Sequence, residues 1–300
     1  MRVLHLDQRS SKIQLRQRPI GMHVSISGGL DLAVDRARDI GCAGTFQIFT
    51  ASPRRWAAAP LNPTGVVLFK QKVTTYGFNP FAHMPYMPNL ASPEDGFYRQ
   101  SVDVLVRELE RCNELGIGYL VLHFGSHMGS SVERGHERVV AACTKAIKET
   151  PSNGTRLLLE TSAGTRNSVG SKFEFVRKVL DAIDNEERTG ACLDTCHVFA
   201  SGYDLRNPQA VNATIDQFDL TVGLDRLFLI HINDSKGEIG AASDRHEHIG
   251  MGKIGDSGFR ALFSSPKIEH VPLILETPED SARTYREDIA HTKKLMISNS

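Results

Sequence analysis

The chain has 300 residues, with 35 basic and 35 acidic side chains, so its formal net charge is zero when the histidines are neutral. An apolar fraction of 40% excludes a disordered chain, and apolar runs such as Leu227–Ile230 are far shorter than the roughly 20 residues of a membrane span. Because the net charge is zero, the electrostatic field of the whole molecule would not attract nucleic acid. Local basic loops or bound metal ions would therefore have to bind a phosphate backbone.

The first predicted segment is a basic extension over residues 1–20. It contains no apolar stretch of the signal-peptide type, so we expect the protein not to be secreted. Its charged residues are Arg2, Asp7, Arg9, Lys12, Arg16 and Arg18. We expect a disordered or loosely docked extension, followed by one folded domain over residues 21–300; a short basic arm or targeting segment is the alternative.

Beyond residue 20, short apolar runs alternate with segments of helical periodicity. The runs end near eight polar residues: His23, Gln47, His83, His123, Glu160, Asp194, His231 and Glu276. From His83 onward the ends are 34 to 45 residues apart by subtraction. This spacing accommodates a strand, a returning helix and two loops, and it predicts parallel pairing through βαβ units.

Several of these elements have clear sequence patterns. A 3.6-residue apolar repeat predicts helices over Leu30–Ile40, Glu94–Leu115 and Phe173–Ile183. Eight repeats without a Pro/Gly/Ser-rich linker predict one (β/α)8 TIM barrel, with its active site at the carboxyl ends of the strands. A doubly wound open sheet is the alternative, although Ser27-Gly28-Gly29 is a weak match to the glycine-rich turn that usually opens it.

The predicted strand ends carry residues that bind metals. Six successive strands end in His83, His123, Glu160, Asp194, His231 and Glu276. In a barrel these ends meet at one mouth, where burial of three carboxylates would cost several kcal/mol per charge. A divalent cation would remove that cost, so the pattern predicts a metal site.

Three further candidate ligands lie just beyond this ring. His197 follows Asp194 by three residues, and Asp244-Arg245-His246 places two ligand types on one loop. His197, Asp244 and His246 would form a three-ligand site with an open position, as in catalytic zinc sites. His248 competes with His246, which we prefer because residues two apart in an extended loop point the same way.

Nine candidate ligands suit three divalent ions, provided that one carboxylate bridges two of them. Four are carboxylates and five are imidazoles, so three ions would leave the site positively charged and suited to a phosphate diester. Imidazole-rich ligation favours zinc, with manganese or iron as alternatives.

These motifs resemble the endonuclease IV family of abasic-site endonucleases from about Gly21 to the end of the chain. The matching blocks are Gly21-Met22-His23-Val24-Ser25 followed by Gly28-Gly29-Leu30, Phe46-Gln47-Ile48-Phe49-Thr50 running to Arg54-Arg55-Trp56, His83-x-x-Tyr86, Leu122-His123-x-Gly125-Ser126-His127, Leu159-Glu160-Thr161-x-Ala163-Gly164, Cys192-Leu193-Asp194-Thr195-Cys196-His197, His231-x-Asn233-Asp234-Ser235-Lys236, Asp244-Arg245-His246-x-x-Ile249-Gly250 and Leu275-Glu276-Thr277. The number of ordered blocks makes chance similarity a poor explanation.

The resemblance implies three zinc ions, with manganese possible in part of the sites. The implied ligands are His83, His123 and Glu160 for the first ion, Glu160, Asp194, His231 and Glu276 for the second, and His197, Asp244 and His246 for the third. Glu160 would bridge the first two ions.

The implied activity is hydrolysis of the phosphodiester 5′ to an abasic site in duplex DNA during base excision repair. The products would be a 3′-hydroxyl and a 5′-deoxyribose phosphate, and a metal-bound hydroxide would be the nucleophile. Glu160 and Glu276 are the implied catalytic residues. The expected DNA contacts are Arg54, Arg55, Tyr86 and Lys236.

The expected partner is double-stranded DNA with an abasic site or a blocked 3′ end, and we expect no membrane association. We also expect a monomer, located in the cytoplasm of a prokaryote or in the nucleus or mitochondrion of a eukaryote.

Two other functions remain open from the sequence. A metal-dependent sugar isomerase or epimerase on a similar barrel would need only Glu160, Asp194, His231 and Glu276. It would leave the other five candidate ligands unexplained. A non-catalytic DNA-binding protein would bind damaged DNA without cleaving it and would have no open metal position.

Overall fold

A computed structural model describes residues 18–151 and 154–297. Its strands are β1 (Ile20–Met22), β2 (Thr45–Phe49), β3 (Asn79–His83), β4 (Tyr119–His123), β5 (Arg156–Glu160), β6 (Thr189–Asp194), β7 (Leu227–His231), β8 (Asp234–Ser235), β9 (His246–Glu247) and β10 (Leu273–Leu275). Its helices are α1 (Leu30–Asp39), α2 (Pro63–Tyr76), α3 (Asp95–Leu115), α4 (Val132–Glu149), α5 (Phe173–Ile183), α6 (Thr195–Ala200), α7 (Pro208–Thr221), α8 (Gly255–Phe263) and α9 (Tyr285–Ile297). Strands and helices therefore alternate along the chain, as predicted.

Eight of the strands form one parallel sheet in the order β1-β10-β7-β6-β5-β4-β3-β2, and β8 pairs with β9 in an antiparallel hairpin. The two ends of the large sheet meet where Val24 N donates to Gln47 O at 2.8 Å. Gly21 makes this approach possible, because a Cβ there would lie 2.3 Å from Thr45 O. Closure between β1 and β2 confirms the TIM barrel and excludes the doubly wound open sheet.

The three predicted helices are confirmed, with ends that differ by at most one residue from those predicted. Strand β2 continues two residues past its predicted end at Gln47, because Ile48 and Phe49 pair with Ala82 and His83 of β3.

The N-terminal extension is only partly within the described residues, since residues 1–17 lie outside them. At its end, Arg18 Nε donates to Val271 O at 2.7 Å, and Ile20 already belongs to β1. No helix within residues 18–151 and 154–297 has the length and apolarity that crossing a membrane requires.

The apolar core has two parts. The larger part lies between the strands and the surrounding helices. The smaller part is a cluster of strand residues: Phe81, Val121, Leu158, Cys192, Leu229 and Ile274. Each of these residues lies two positions before a predicted strand-end ligand. Because side chains alternate along a strand with a period of two, the apolar cluster and the strand-end residues face the same side, into the barrel.

Candidate metal centre

The strand-end residues converge at the carboxyl end of the barrel, and Glu160 of β5 lies at their centre. Its Oε2 atom lies 3.1 Å from His83 Nε2 and 3.5 Å from His123 Nδ1. Ligand atoms of these three residues all lie within 4.8 Å of one another. They come from the adjacent strands β3, β4 and β5 and are the three residues that we predicted as ligands of a first ion.

The other oxygen of Glu160 belongs to a second group, which Asp194, His231 and Glu276 complete. His231 Nδ1 lies 3.1 Å from Glu160 Oε1 and 3.3 Å from Glu276 Oε2. Asp194 Oδ2 lies 4.0 Å from the same nitrogen. Glu160, Asp194 and His231 are fully buried, and the side chain of Glu276 is 15% exposed. The three carboxylates of this group therefore lie in a space that is largely closed to water.

A third group forms where a short helix follows directly on β6. Asp194 caps α6 by accepting a hydrogen bond from the His197 backbone N at 2.8 Å, which places the His197 ring beside the mouth. Asp244 Oδ1 lies 3.1 Å from His197 Nε2 and 3.3 Å from His246 Nε2. The three residues of this group whose ligand atoms all lie within 4.8 Å of one another are Asp194, His197 and His246, with Asp194 Oδ2 3.7 Å from His246 Nε2. Asp244 joins the group through its two histidine contacts.

The tautomers of His197 and His246 can be deduced from their partners. His197 Nδ1 faces Thr161 O at 2.8 Å, and His246 Nδ1 faces Glu276 O at 3.1 Å. A carbonyl oxygen can only accept, so each Nδ1 carries a proton, and each Nε2 presents a lone pair when the ring is neutral. Both Nε2 atoms are buried and have no hydrogen-bond partner among the described residues. Two lone pairs that converge on a carboxylate oxygen fit a cation between them, and a backbone carbonyl behind the ring is the usual support of a metal-binding histidine.

The electrostatics of the ring also favour bound cations. Burial alone would raise the pKa of Glu160, but His123 and His231 outweigh burial and hold that pKa well below its ordinary value. Burial would likewise lower the pKa of His197, yet Asp194, Asp244 and Glu160 hold it well above its ordinary value. The Glu160 carboxylate thus remains ionised and requires compensating positive charge, which protons on the imidazoles or divalent ions can supply.

His248, the competing ligand, faces away from these groups. Its Nδ1 lies 2.6 Å from Asp288 Oδ2, and its Nε2 lies 3.1 Å from Asp280 Oδ1. Asp288 is buried and also accepts a hydrogen bond from Thr277 Oγ1 at 2.6 Å. His248 therefore fastens the loop after β9 to the segment after β10, and the three groups contain His246 instead.

Sequence reasoning assigned no role to Asp234, which is fully buried at the start of the hairpin. Its carboxylate accepts backbone hydrogen bonds from Ser235, Gly250, Gly252, Ile254 and Gly255 at 2.8–3.2 Å. This arrangement folds residues 250–255 around one side chain and braces the loop that carries Asp244 and His246. The interaction depends on a loop conformation that no local motif reveals.

The predicted DNA contacts lie around the mouth. Tyr86 is 65% exposed, and its ring packs edge-on against Phe49. The centre of the same ring lies 6.5 Å from the centre of the His123 ring. Arg54 and Arg55 are exposed on the loop after β2, and Lys236 is exposed on the hairpin beside Glu247. A cleft of about 480 Å³ connects Tyr86 and His123 with the third group.

Two arginines of α3 hydrogen-bond the backbone of the loop that carries Arg54 and Arg55. Arg107 Nη2 donates to Trp56 O at 2.5 Å, and Arg111 donates to Thr50 O at 2.6 Å and to Ala59 O at 2.8 Å. The Trp56 ring packs edge-on against Phe97 at 5.2 Å, so Trp56 is a packing residue of this rim.

The fold and its metal-binding groups define a class of protein. The sequence profile of the family described as xylose isomerase-like TIM barrel matches residues 34–295, which is most of the chain.

More similar proteins narrow this class. A curated relative, "Probable endonuclease 4" of Methanoculleus marisnigri, is 47% identical over 277 residues, which are 92% of this chain and 98% of the relative. The crystal structure of endonuclease IV from Thermus thermophilus is 34% identical and has a TM-score of 0.79 over 93% of this chain and 97% of that one. The chain belongs to the endonuclease IV family.

Sugar epimerases share the fold at lower identity. The structure of 3-keto-D-glucoside 4-epimerase from E. coli superposes with a TM-score of 0.65 over 92% of this chain and 99% of that one, at 16% identity. This likeness concerns the barrel alone.

Proposed function

We propose that the protein is a DNA-repair endonuclease that hydrolyses the phosphodiester 5′ to an abasic site in duplex DNA, leaving a 3′-hydroxyl and a 5′-deoxyribose phosphate. Three zinc ions would be held by the nine predicted ligands, with Glu160 shared between two of them. Double-stranded DNA with an abasic site or a blocked 3′ end would be the substrate. One chain contains all nine ligands, so we propose that it works as a monomer, in whichever compartment holds the DNA.

The observation that carries this proposal is the pair of buried, unpartnered nitrogens, His197 Nε2 and His246 Nε2, directed at Asp244 within the described part of the chain. A one- or two-ion sugar isomerase site would need only the second group, and it would leave this third group without a purpose. With an ion bound, the third group would add positive charge next to the cleft, which suits a phosphodiester better than a neutral sugar.

The chain's own residues would prepare the site before substrate arrives. When bound, zinc ions acidify water to a pKa near 7 and stabilise negative charge on a phosphodiester. Backbone carbonyls of Met84, Thr161 and Glu276 face the Nδ1 atoms of His83, His197 and His246 and direct the Nε2 atoms toward the carboxylates of the proposed metal site. The proposed ligands are therefore oriented by the barrel rather than by the metal.

Access to the site supports an extrahelical nucleotide as substrate. Glu160, Asp194 and His231 are fully buried below the mouth, so we expect that a nucleotide stacked within a duplex would not reach the proposed ions. Flipping a nucleotide out of the stack costs a few kcal/mol, and least where no base is stacked, which favours an abasic site. Exposed Tyr86, Arg54 and Arg55 are placed on loops around the mouth, where they would contact the flanking duplex.

Incision of a labelled duplex with a single synthetic abasic site, with and without a strong chelator, tests this function. We expect cleavage 5′ to the lesion, loss of cleavage with chelator, and recovery with zinc. Glu276→Gln should abolish cleavage because it removes a charged ligand. Glu279→Gln makes the same chemical change at an exposed position three residues further on and should leave cleavage intact. An uncleaved duplex with folded, zinc-loaded protein would refute the proposal, and sugar epimerisation would then be assayed.

A further inference from the structure

Two of the eight strand ends have no place in the nine-ligand set. His23 follows β1 and Gln47 lies in β2, where they pair with each other in the parallel register that closes the barrel. Gln47 is fully buried, and its side chain lies among the residues of the second group. A fully buried amide must find partners for both its oxygen and its nitrogen, and those partners fix its orientation.

Glu276 determines which way the amide points. Gln47 Nε2 lies 2.6 Å from Glu276 Oε1, and an ionised carboxylate can only accept a hydrogen bond. The NH2 group must therefore face Glu276, which leaves the amide oxygen facing His231. The second N–H of the same group is directed at His23 Nδ1, 3.0 Å away.

The amide oxygen then determines the tautomer of His231. His231 Nε2 lies 2.9 Å from Gln47 Oε1, and that oxygen can only accept, so Nε2 carries the proton. His231 Nδ1, which faces Glu160 Oε1 at 3.1 Å and Glu276 Oε2 at 3.3 Å, is then the nitrogen that offers a lone pair to a metal when the ring is neutral. His231 would thus bind metal through Nδ1, whereas His197 and His246 would bind it through Nε2.

We propose that Gln47 is a positioning residue of the second metal site: its amide selects the metal-binding nitrogen of His231 and at the same time orients Glu276. This inference rests on the proposed metal centre. The Gln47 amide contacts one ligand on β7 through its oxygen and one ligand after β10 through its nitrogen. Its loss should therefore weaken the binding of one ion and leave the affinity for the other two unchanged. Groups that orient ligands typically contribute about 10- to 100-fold to metal affinity.

Zinc titration of Gln47→Met against a competing chelator tests this inference. Methionine keeps the length of the side chain and removes its donor and acceptor. We expect one of three zinc equivalents to bind about 10- to 100-fold more weakly, with the other two unchanged. Thr45→Val is the matched control, because Thr45 is buried two residues earlier in β2 and bonds Asn79 O rather than a ligand. It should retain three equivalents of wild-type affinity.

Nitrogen-15 NMR of histidine-labelled wild-type holoenzyme provides a second test that does not depend on the variant folding. We expect His231 to show a protonated Nε2 and a zinc-bound Nδ1. A His231 bound through Nε2, or three unchanged equivalents in Gln47→Met, would overturn the role of Gln47 while leaving the endonuclease function standing. A wild-type protein that binds no zinc would instead overturn the proposed metal centre itself.

Discussion

The interior of the barrel and its mouth are built by the same strands, in successive layers of opposite chemistry. The lower layer is apolar and consists of Phe81, Val121, Leu158, Cys192, Leu229 and Ile274. Two positions later, the same strands carry His83, His123, Glu160, Asp194, His231 and Glu276. A step of two residues along each strand therefore changes the barrel from an apolar core into an ionic cluster.

The difference shows how one fold provides stability and a reactive site together. The lower layer is stabilised by burial and packing and needs no partner beyond its neighbours. The upper layer holds charges that are costly to bury and that are compensated only by protons or cations. Stability should therefore be sensitive to substitution in the lower layer, and metal binding to substitution in the upper layer.

The largest expected effect comes from making a polar substitution in each layer of β5. Leu158→Asn leaves a cavity and an unpartnered amide in the lower layer, so we expect a loss of about 3–5 kcal/mol in the free energy of unfolding. Glu160→Gln leaves no cavity but removes the charged partner of His123 and His231, so we expect loss of zinc binding, whereas Leu158→Asn should still bind zinc while it is folded. Urea unfolding and zinc titration measure the two properties, and zinc binding that survives Glu160→Gln, or that is lost in folded Leu158→Asn, would contradict the division between the layers.

A smaller effect is expected where the barrel closes. Gly21→Ala would place a Cβ 2.3 Å from Thr45 O, a backbone atom that cannot move without opening the contact between β1 and β2. We expect a loss of about 1–3 kcal/mol in thermal or urea unfolding. Gly118→Ala is the control, because a Cβ at Gly118 would meet no described atom within 4 Å and its φ is not positive. If both variants unfold like the wild type, the contact between β1 and β2 does not require glycine at position 21, and this prediction is wrong.

The smallest expected effect concerns the exposed rim. If Arg54 contacts a DNA phosphate, Arg54→Ala should reduce the slope of log affinity against log salt concentration by about one and weaken binding to all duplexes similarly. Arg177→Ala is the control, since Arg177 lies on α5 and pairs with Asp181. Fluorescence anisotropy with abasic DNA at several salt concentrations measures the slopes, and equal slopes for wild type and Arg54→Ala would remove Arg54 from the DNA contacts.

The architecture could be predicted because its signals are local and repeat. Strand ends such as His123 and Glu160 follow short apolar runs, and a parallel barrel must bring those ends to one mouth. The choice of His246 over His248 rested on its spacing from Asp244, since residues two apart in an extended segment face the same side. The predicted end of β2 was wrong, because pairing with β3 rather than composition determines where that strand ends.

The supporting residues were less accessible to sequence reasoning because their partners are distant along the chain. Gln47 and His23 were recognised as strand ends, but their contacts with Glu276 span more than two hundred residues. Asp234 is surrounded by the backbone of residues 250–255, and a single aspartate in a polar loop gives no indication of this. Such residues become visible only once the fold brings the ligands together.

The most direct test of the central claim is a crystal structure of the zinc-loaded protein with anomalous data on both sides of the zinc edge. We predict three anomalous peaks, one for each group of ligands, with Glu160 between the first two. A structure from crystals grown with excess zinc that shows no peak at the mouth, with imidazolium–carboxylate pairs in place of ions, would contradict it.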